Sequence, residues 1–199
     1  MAPLPRRLVL WAAIAVGVAI VAALAYAWTS EPLEAGNIGA AMGPPESTST
    51  PTEGSDGQLP GTVISFVASG RVAMGVEVRN ALLVPITITG LAPDAFPSDA
   101  LFLDAQPYLL LDPNRFDVSA DALRPFQPVT LAGGESVFIA VAGHFPDCQT
   151  AVGHTSPGSS VGYEDIPLSV EVLGVTRSVE VRLMETVQLQ APAVRVCPG

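Results

Sequence analysis

Two cysteines and two histidines are the residues best suited to chemistry in this chain. Cys148 and Cys197 are its only cysteines, with His144 and His154 flanking the first. One pair of cysteines in an exported chain is most simply read as one disulfide. The same neighbourhood admits a second reading, in which His144, Cys148, His154 and Cys197 form a soft site for zinc or copper. No C-x-x-C or H-x-x-x-H spacing preorganises such a site, so the fold would have to bring the four ligands together. The disulfide is the expectation, and no cofactor is implied.

Gly158-Ser159-Ser160-Val161-Gly162 carries the letters of a nucleophile elbow, with Ser160 in the attacking position. That motif works between a buried strand and a helix, whereas here it sits in a stretch rich in Pro, Gly and Ser. Ser160 is therefore expected not to be a nucleophile, and no catalytic residue is assigned. Asp112-Pro113-Asn114-Arg115-Phe116-Asp117 has the polarity of a calcium loop but lacks the oxygen spacing and closing Glu of an EF-hand. It lies in a long insert, Leu91 to Pro128, where Phe96, Phe102, Tyr108, Phe116 and Phe126 recur together with Asp94, Asp99, Asp104, Asp112, Asp117 and Asp121. Loops of that length are functional or hold structure of their own. The aromatics are expected to form a satellite core, with the carboxylates facing water.

The elements that must position these residues begin with an apolar run. Leu8 to Trp28 is 21 residues without a charge, and as a helix it would extend about 31 Å, the thickness of a bilayer's hydrocarbon core. Arg6 and Arg7 precede it and the next basic residue is Arg71, so residues 1–7 are expected in the cytoplasm and everything after the helix outside. Trp11, Tyr26 and Trp28 suit the two headgroup levels. The small-x-small triplets within Ala23 to Ala27 resemble a signal-peptidase site, but the run exceeds a signal peptide's apolar region, which favours a retained anchor. Ala15, Ala19, Ala23 and Ala27 also form a stripe of the kind that packs two helices closely.

Residues 29–60 change composition abruptly, with Pro, Gly, Ser and Thr supplying 18 of 32 positions. They are expected to be a flexible, disordered stalk with a reach on the order of 30 Å. The formal charge of −10 divides into +2 before the apolar run, −5 in residues 29–60 and −7 in residues 61–199. Nucleic acid and anionic lipid are thereby excluded as expected partners. All nine basic residues are Arg, a compositional bias rather than a site.

Residues 61–199 are long enough for one domain with a proper core. Their dominant period is two. Val72, Met74, Val76 and Val78 alternate with Arg71, Ala73, Gly75, Glu77 and Arg79, which predicts a half-buried strand. Ile64 and Phe66, then Val84, Ile86 and Ile88, then Val137, Ile139 and Val141 repeat the pattern. Ile166, Leu168, Val170 and Val172 lead to Gly174, and Val179, Val181 and Leu183 answer, which predicts a hairpin. Val187 and Leu189 predict a last short strand, and no helical stripe follows residue 60.

Arg79 to Gly90, followed downstream by Leu131-Ala132-Gly133-Gly134-Glu135-Ser136-Val137, resembles bacterial extracytoplasmic immunoglobulin-like accessory domains. In that group an Asn-led turn joins two strands and a Gly-Gly or Pro-Gly turn precedes a later one. The resemblance covers roughly Val76 to Val141, lacks a Gly soon after Asn80, and is interrupted by the long insert. It implies a scaffold or binding role and brings no catalytic residues. The expectation is thus all-β: an antiparallel immunoglobulin-like β-sandwich over 61–199, behind a transmembrane helix over 8–28 and a stalk over 29–60. Its expected function is that of a non-enzymatic interaction or accessory module at the cell surface, held in the membrane through 8–28 and binding another protein. A metal-handling or hydrolytic ectodomain is the alternative.

Overall fold

The computed structural model describes residues 6–53, 60–93, 95–96, 101–110, 123–193 and 197, with side chains from Leu10 onward. Helix α1 spans Arg6–Thr29, and its segment Leu10–Thr29 is long and apolar enough to cross a membrane. Eleven strands follow among the described residues: β1 Leu33–Met42, β2 Ser49–Thr52, β3 Gly61–Ile64, β4 Arg71–Asn80, β5 Ile86–Leu91, β6 Leu103–Leu110, β7 Leu123–Pro125, β8 Val129–Leu131, β9 Ser136–His144, β10 Ser160–Val172 and β11 Val175–Gln190. A seven-residue helix, α2, spans Cys148–His154 between β9 and β10.

The strands form two sheets. One has the order β1-β4-β9-β6-β7 and the other β2-β3-β11-β10-β5-β8. Every pairing is antiparallel except that of β3 with β11. The inner faces follow from the period-two pattern. Val72, Met74, Val76, Val78, Ile139 and Val141 of the first sheet share one apolar cluster with Ile86, Ile88, Ile166, Leu168, Val170 and Val181 of the second. Burying such side chains supplies the main driving force for the sandwich-like packing, at about 25 cal/mol per Å2 of apolar surface.

The outer face of the first sheet departs from simple alternation. Ala73, Phe138, Ala140 and Ala142 were expected opposite the core, yet they are buried in a second cluster with Leu110 and Leu123. Small residues make this possible, since the Phe138 ring lies close enough to Gly75 that a Cβ there would come within 2.6 Å of it.

Residues 29–60 require a correction: the described part of this segment is not a free stalk. β1 pairs with β4 from Leu33↔Asn80 to Met42↔Ala73, across a bulge between Ala35 and Gly39, and β2 pairs with β3. Composition misses this because β1 contributes little side-chain burial. Its Gly and Ala residues instead let the backbone approach closely, and a Cβ on Gly39 would lie 2.8 Å from the Cβ of Met184 on β11. The energy comes from the ladder to β4 and from contact with β11.

Two further differences concern the domain itself. Val187 and Leu189 belong to β11, which runs on after a register shift opposite Tyr163 and Asp165. The helix α2 is too short to show a stripe and exists through its cap: Asp147 accepts from the backbone N–H and the hydroxyl of Thr150, both at 2.8 Å. The predicted hairpin is β10–β11, closed by Leu173 and Gly174 at φ 51° and 81°, as a two-residue I′ turn demands. The long insert holds β6 and β7, and Phe96 and Phe102 pack edge-on and tilted against each other and Tyr163.

Candidate functional site

The turn that begins at Asn80 and the Gly133-Gly134 turn meet in space. Asn80 is 1% exposed, and its Nδ2 donates to Val84 O at 2.9 Å and Leu131 O at 3.0 Å while its Oδ1 accepts from Leu82 N. Its backbone carbonyl accepts from Gly134 N, and its N–H donates to Glu135 O. The Gly-Gly turn therefore seats directly on the Asn turn, and a Cβ at Gly133 would come within 2.7 Å of Leu82 O. Asn80 is a structural corner, with its donor and acceptor groups engaged in the fold.

Cys148 and Cys197 are joined, with an S–S distance of 2.02 Å across 49 positions. The bond consumes both thiols, so the alternative four-ligand metal set does not assemble. Among the described residues no group of three or more His, Cys, Asp and Glu side chains converges on a metal position. His154 occupies the last turn of α2, whereas His144 ends β9 and faces Asp104, with Nε2 3.6 Å from Oδ2. Ser160 opens β10 and continues into a strand rather than a helix. The Asp112 to Asp117 motif, with Asp94, Asp99, Phe116 and Asp121, lies outside the described residues.

His144 and Asp104 belong to a shallow groove of ≈360 Å3 on the first sheet, completed by Ser69, Arg71 and Tyr108. The ladder explains the assembly: Arg71 and Leu103 are both register partners of His144, from either side of β9. A shift in register between Leu103 and Gln106 puts Asp104 at φ 53° and swings its carboxylate, 81% exposed, toward the imidazole. The Arg71 guanidinium lies 5.5 Å from the centroid of Tyr108. An open groove with one cation, one carboxylate, an imidazole and a phenol suits polar recognition of a partner's side chains.

No protein-family model matches the chain, and no curated protein matches it in sequence.

The most specific polar arrangement is at the junction of α1 with the sandwich. Arg177 on β11 donates through Nη1 to Trp28 O at 2.6 Å and through Nη2 to Ser30 O. These carbonyls belong to the end of α1, where backbone acceptors lack intrahelical partners and a cation is favoured by the helix dipole. Ala27 is fully buried and joins the main apolar cluster, while the rest of the span is exposed. In the alanine stripe, Ala27 is thus occupied by the chain's own domain. The sequence did carry a signal for Arg177: it falls in phase with Val175, Val179 and Val181, an inward position for a charged residue. What it faces there, 149 positions earlier, is set only by topology.

Proposed function

We propose that this chain is a single-pass membrane protein whose extracytoplasmic, immunoglobulin-like sandwich is a non-enzymatic interaction or accessory module. The burial of Ala27 in the domain core carries the anchored part of this reading, because it ties the apolar helix to the folded domain. Cleavage after Ala27 would remove this core residue and cleavage after Ala25 would leave it second from a new N-terminus, cut off from the helix, so the retained anchor is favoured over a signal peptide. The Cys148–Cys197 bond fits an oxidising compartment, and Arg6 and Arg7 favour a cytoplasmic N-terminus.

Sheet order supports the immunoglobulin-like assignment. Strands β1-β4-β9-β6 correspond in order to A-B-E-D and β5-β10-β11 to C-F-G, while β7 beside β6, β8 beside β5, and β3 and β2 beyond β11 are departures. The partner surface is assigned to the groove of Arg71, Asp104, Tyr108 and His144, which points away from the core and carries both signs of charge. A photo-crosslinking residue replacing Asp104 in native membranes should trap a discrete protein adduct, while one replacing Glu171 on the other sheet should not. No adduct at position 104, or the same adducts at both positions, would count against a partner site there.

A further inference from the structure

We infer that the helix-proximal end of the sandwich is itself a lipid-contacting surface, with Leu83 and Leu173 seated at the headgroup boundary of the outer leaflet. This rests on the anchor reading above and goes beyond it, since an anchored domain need not touch the bilayer. Topology places both residues at the end where α1 enters. Leu33, the first residue of β1, pairs with Asn80, and Ala81 N donates to Pro32 O at 3.0 Å, so the turn holding Leu83 lies beside the residues that leave the helix. On the other sheet Val172 pairs with Ile86 and Val175, which puts the Leu173–Gly174 turn at the same end.

The depth of this end is fixed by the junction. Only residues 30–32 separate α1 from β1, Ala27 is inside the core, and Arg177 holds the carbonyls of Trp28 and Ser30. Trp28 and Tyr26 are exposed rings of the type that settles at headgroup level. A domain locked to the helix at that level cannot keep its near turns far from lipid.

The side chains at this end are those expected of such a surface. Leu83 is 97% exposed, and Leu173 is 49% exposed at a positive φ that favours Gly or Asn. Two aliphatic tips beside an apolar helix gain by leaving water. Charge does not drive the contact, because Glu31, Glu34 and Glu135 lie near and Arg79 is paired with Glu34 at 3.5 Å. The partner is accordingly the acyl and glycerol region of a zwitterionic lipid surface.

The test uses the full chain in phosphatidylcholine vesicles, with an environment-sensitive fluorophore on a single introduced cysteine: L83C, L173C, I20C or S156C. Ser156 lies at the opposite end, where the neighbouring Ser159 and Gly158 pack on Ala191 and Pro192. Labels at 83 and 173 should emit blue-shifted light and be quenched by lipids carrying a nitroxide near the headgroup, with the label at 156 unaffected. Water-like emission at either Leu site, with the label at 20 quenched by deep nitroxides, would overturn the lipid contact while leaving the anchor intact. Water-like emission at 20 would overturn the anchor reading and this inference with it.

Discussion

Arg177 Nη1 lies 2.6 Å from the carbonyl oxygen of Trp28, tying the second strand of the last hairpin to the end of the N-terminal helix. Hydrogen bonds from a charged donor contribute about 1.5–3 kcal/mol each. Arg177→Ala should therefore loosen the junction by about 2 kcal/mol, leaving the sandwich folded. Limited proteolysis is expected to cut the variant within residues 29–33 several-fold faster than the parent, with equal rates elsewhere. Unchanged cutting would show that the contact contributes nothing.

Asn80 should be the most sensitive polar position in the domain. Asn80→Ala strands Leu82 N, Val84 O and Leu131 O in a buried corner, and each unsatisfied group costs about 1–3 kcal/mol. A net loss of about 3 kcal/mol is expected, a large share of the roughly 5–15 kcal/mol that holds a domain together. Denaturant titration checks this, and a loss within the error of the parent value would refute the role.

The bond between Cys148 and Cys197 closes a long loop, worth about 4 kcal/mol in the chain-entropy account. Non-reduced peptide mapping should recover the two cysteine peptides linked. Reduction should lower the thermal midpoint by several degrees without abolishing folding, and an unchanged midpoint would show that the bond adds no stability.

Asp147 gives a pH dependence whose sign follows from its cap. Donation from the Thr150 backbone N–H and then its hydroxyl lowers the carboxyl's pKa in the folded chain, outweighing desolvation, which acts in the opposite direction. The unfolded chain then binds the proton more tightly. The cap's contribution is present above the ordinary Asp range and is lost as the pH falls below about 4 toward the lowered folded value. Asp147→Ala should flatten the acid limb of the stability curve, and an identical limb would contradict the assignment.

Much of this architecture was legible in the sequence. Period-two alternation located β4, β5, β9 and the β10–β11 hairpin, because their inward Val, Ile and Leu residues fill one shared core. The disulfide followed from there being two cysteines. β1 was hidden because Gly36, Gly39, Ala40 and Ala41 stabilise a strand through close approach rather than through burying large side chains. The Arg71, Tyr108, Asp104 and His144 groove was hidden for a different reason. Its members come from β4, β6 and β9, and only the ladder order and an irregular register bring them together.

Arg177 and Ala27 should hold the sandwich seated on its helix rather than swinging from it. Spin labels at Val18→Cys and Ser156→Cys, in the full chain reconstituted in a lipid nanodisc, measure this by dipolar spectroscopy. A seated domain gives a single narrow distance distribution that broadens when Arg177→Ala is added. A broad distribution in the parent chain, spread over a range on the order of 30 Å as for a flexible coil, would contradict it.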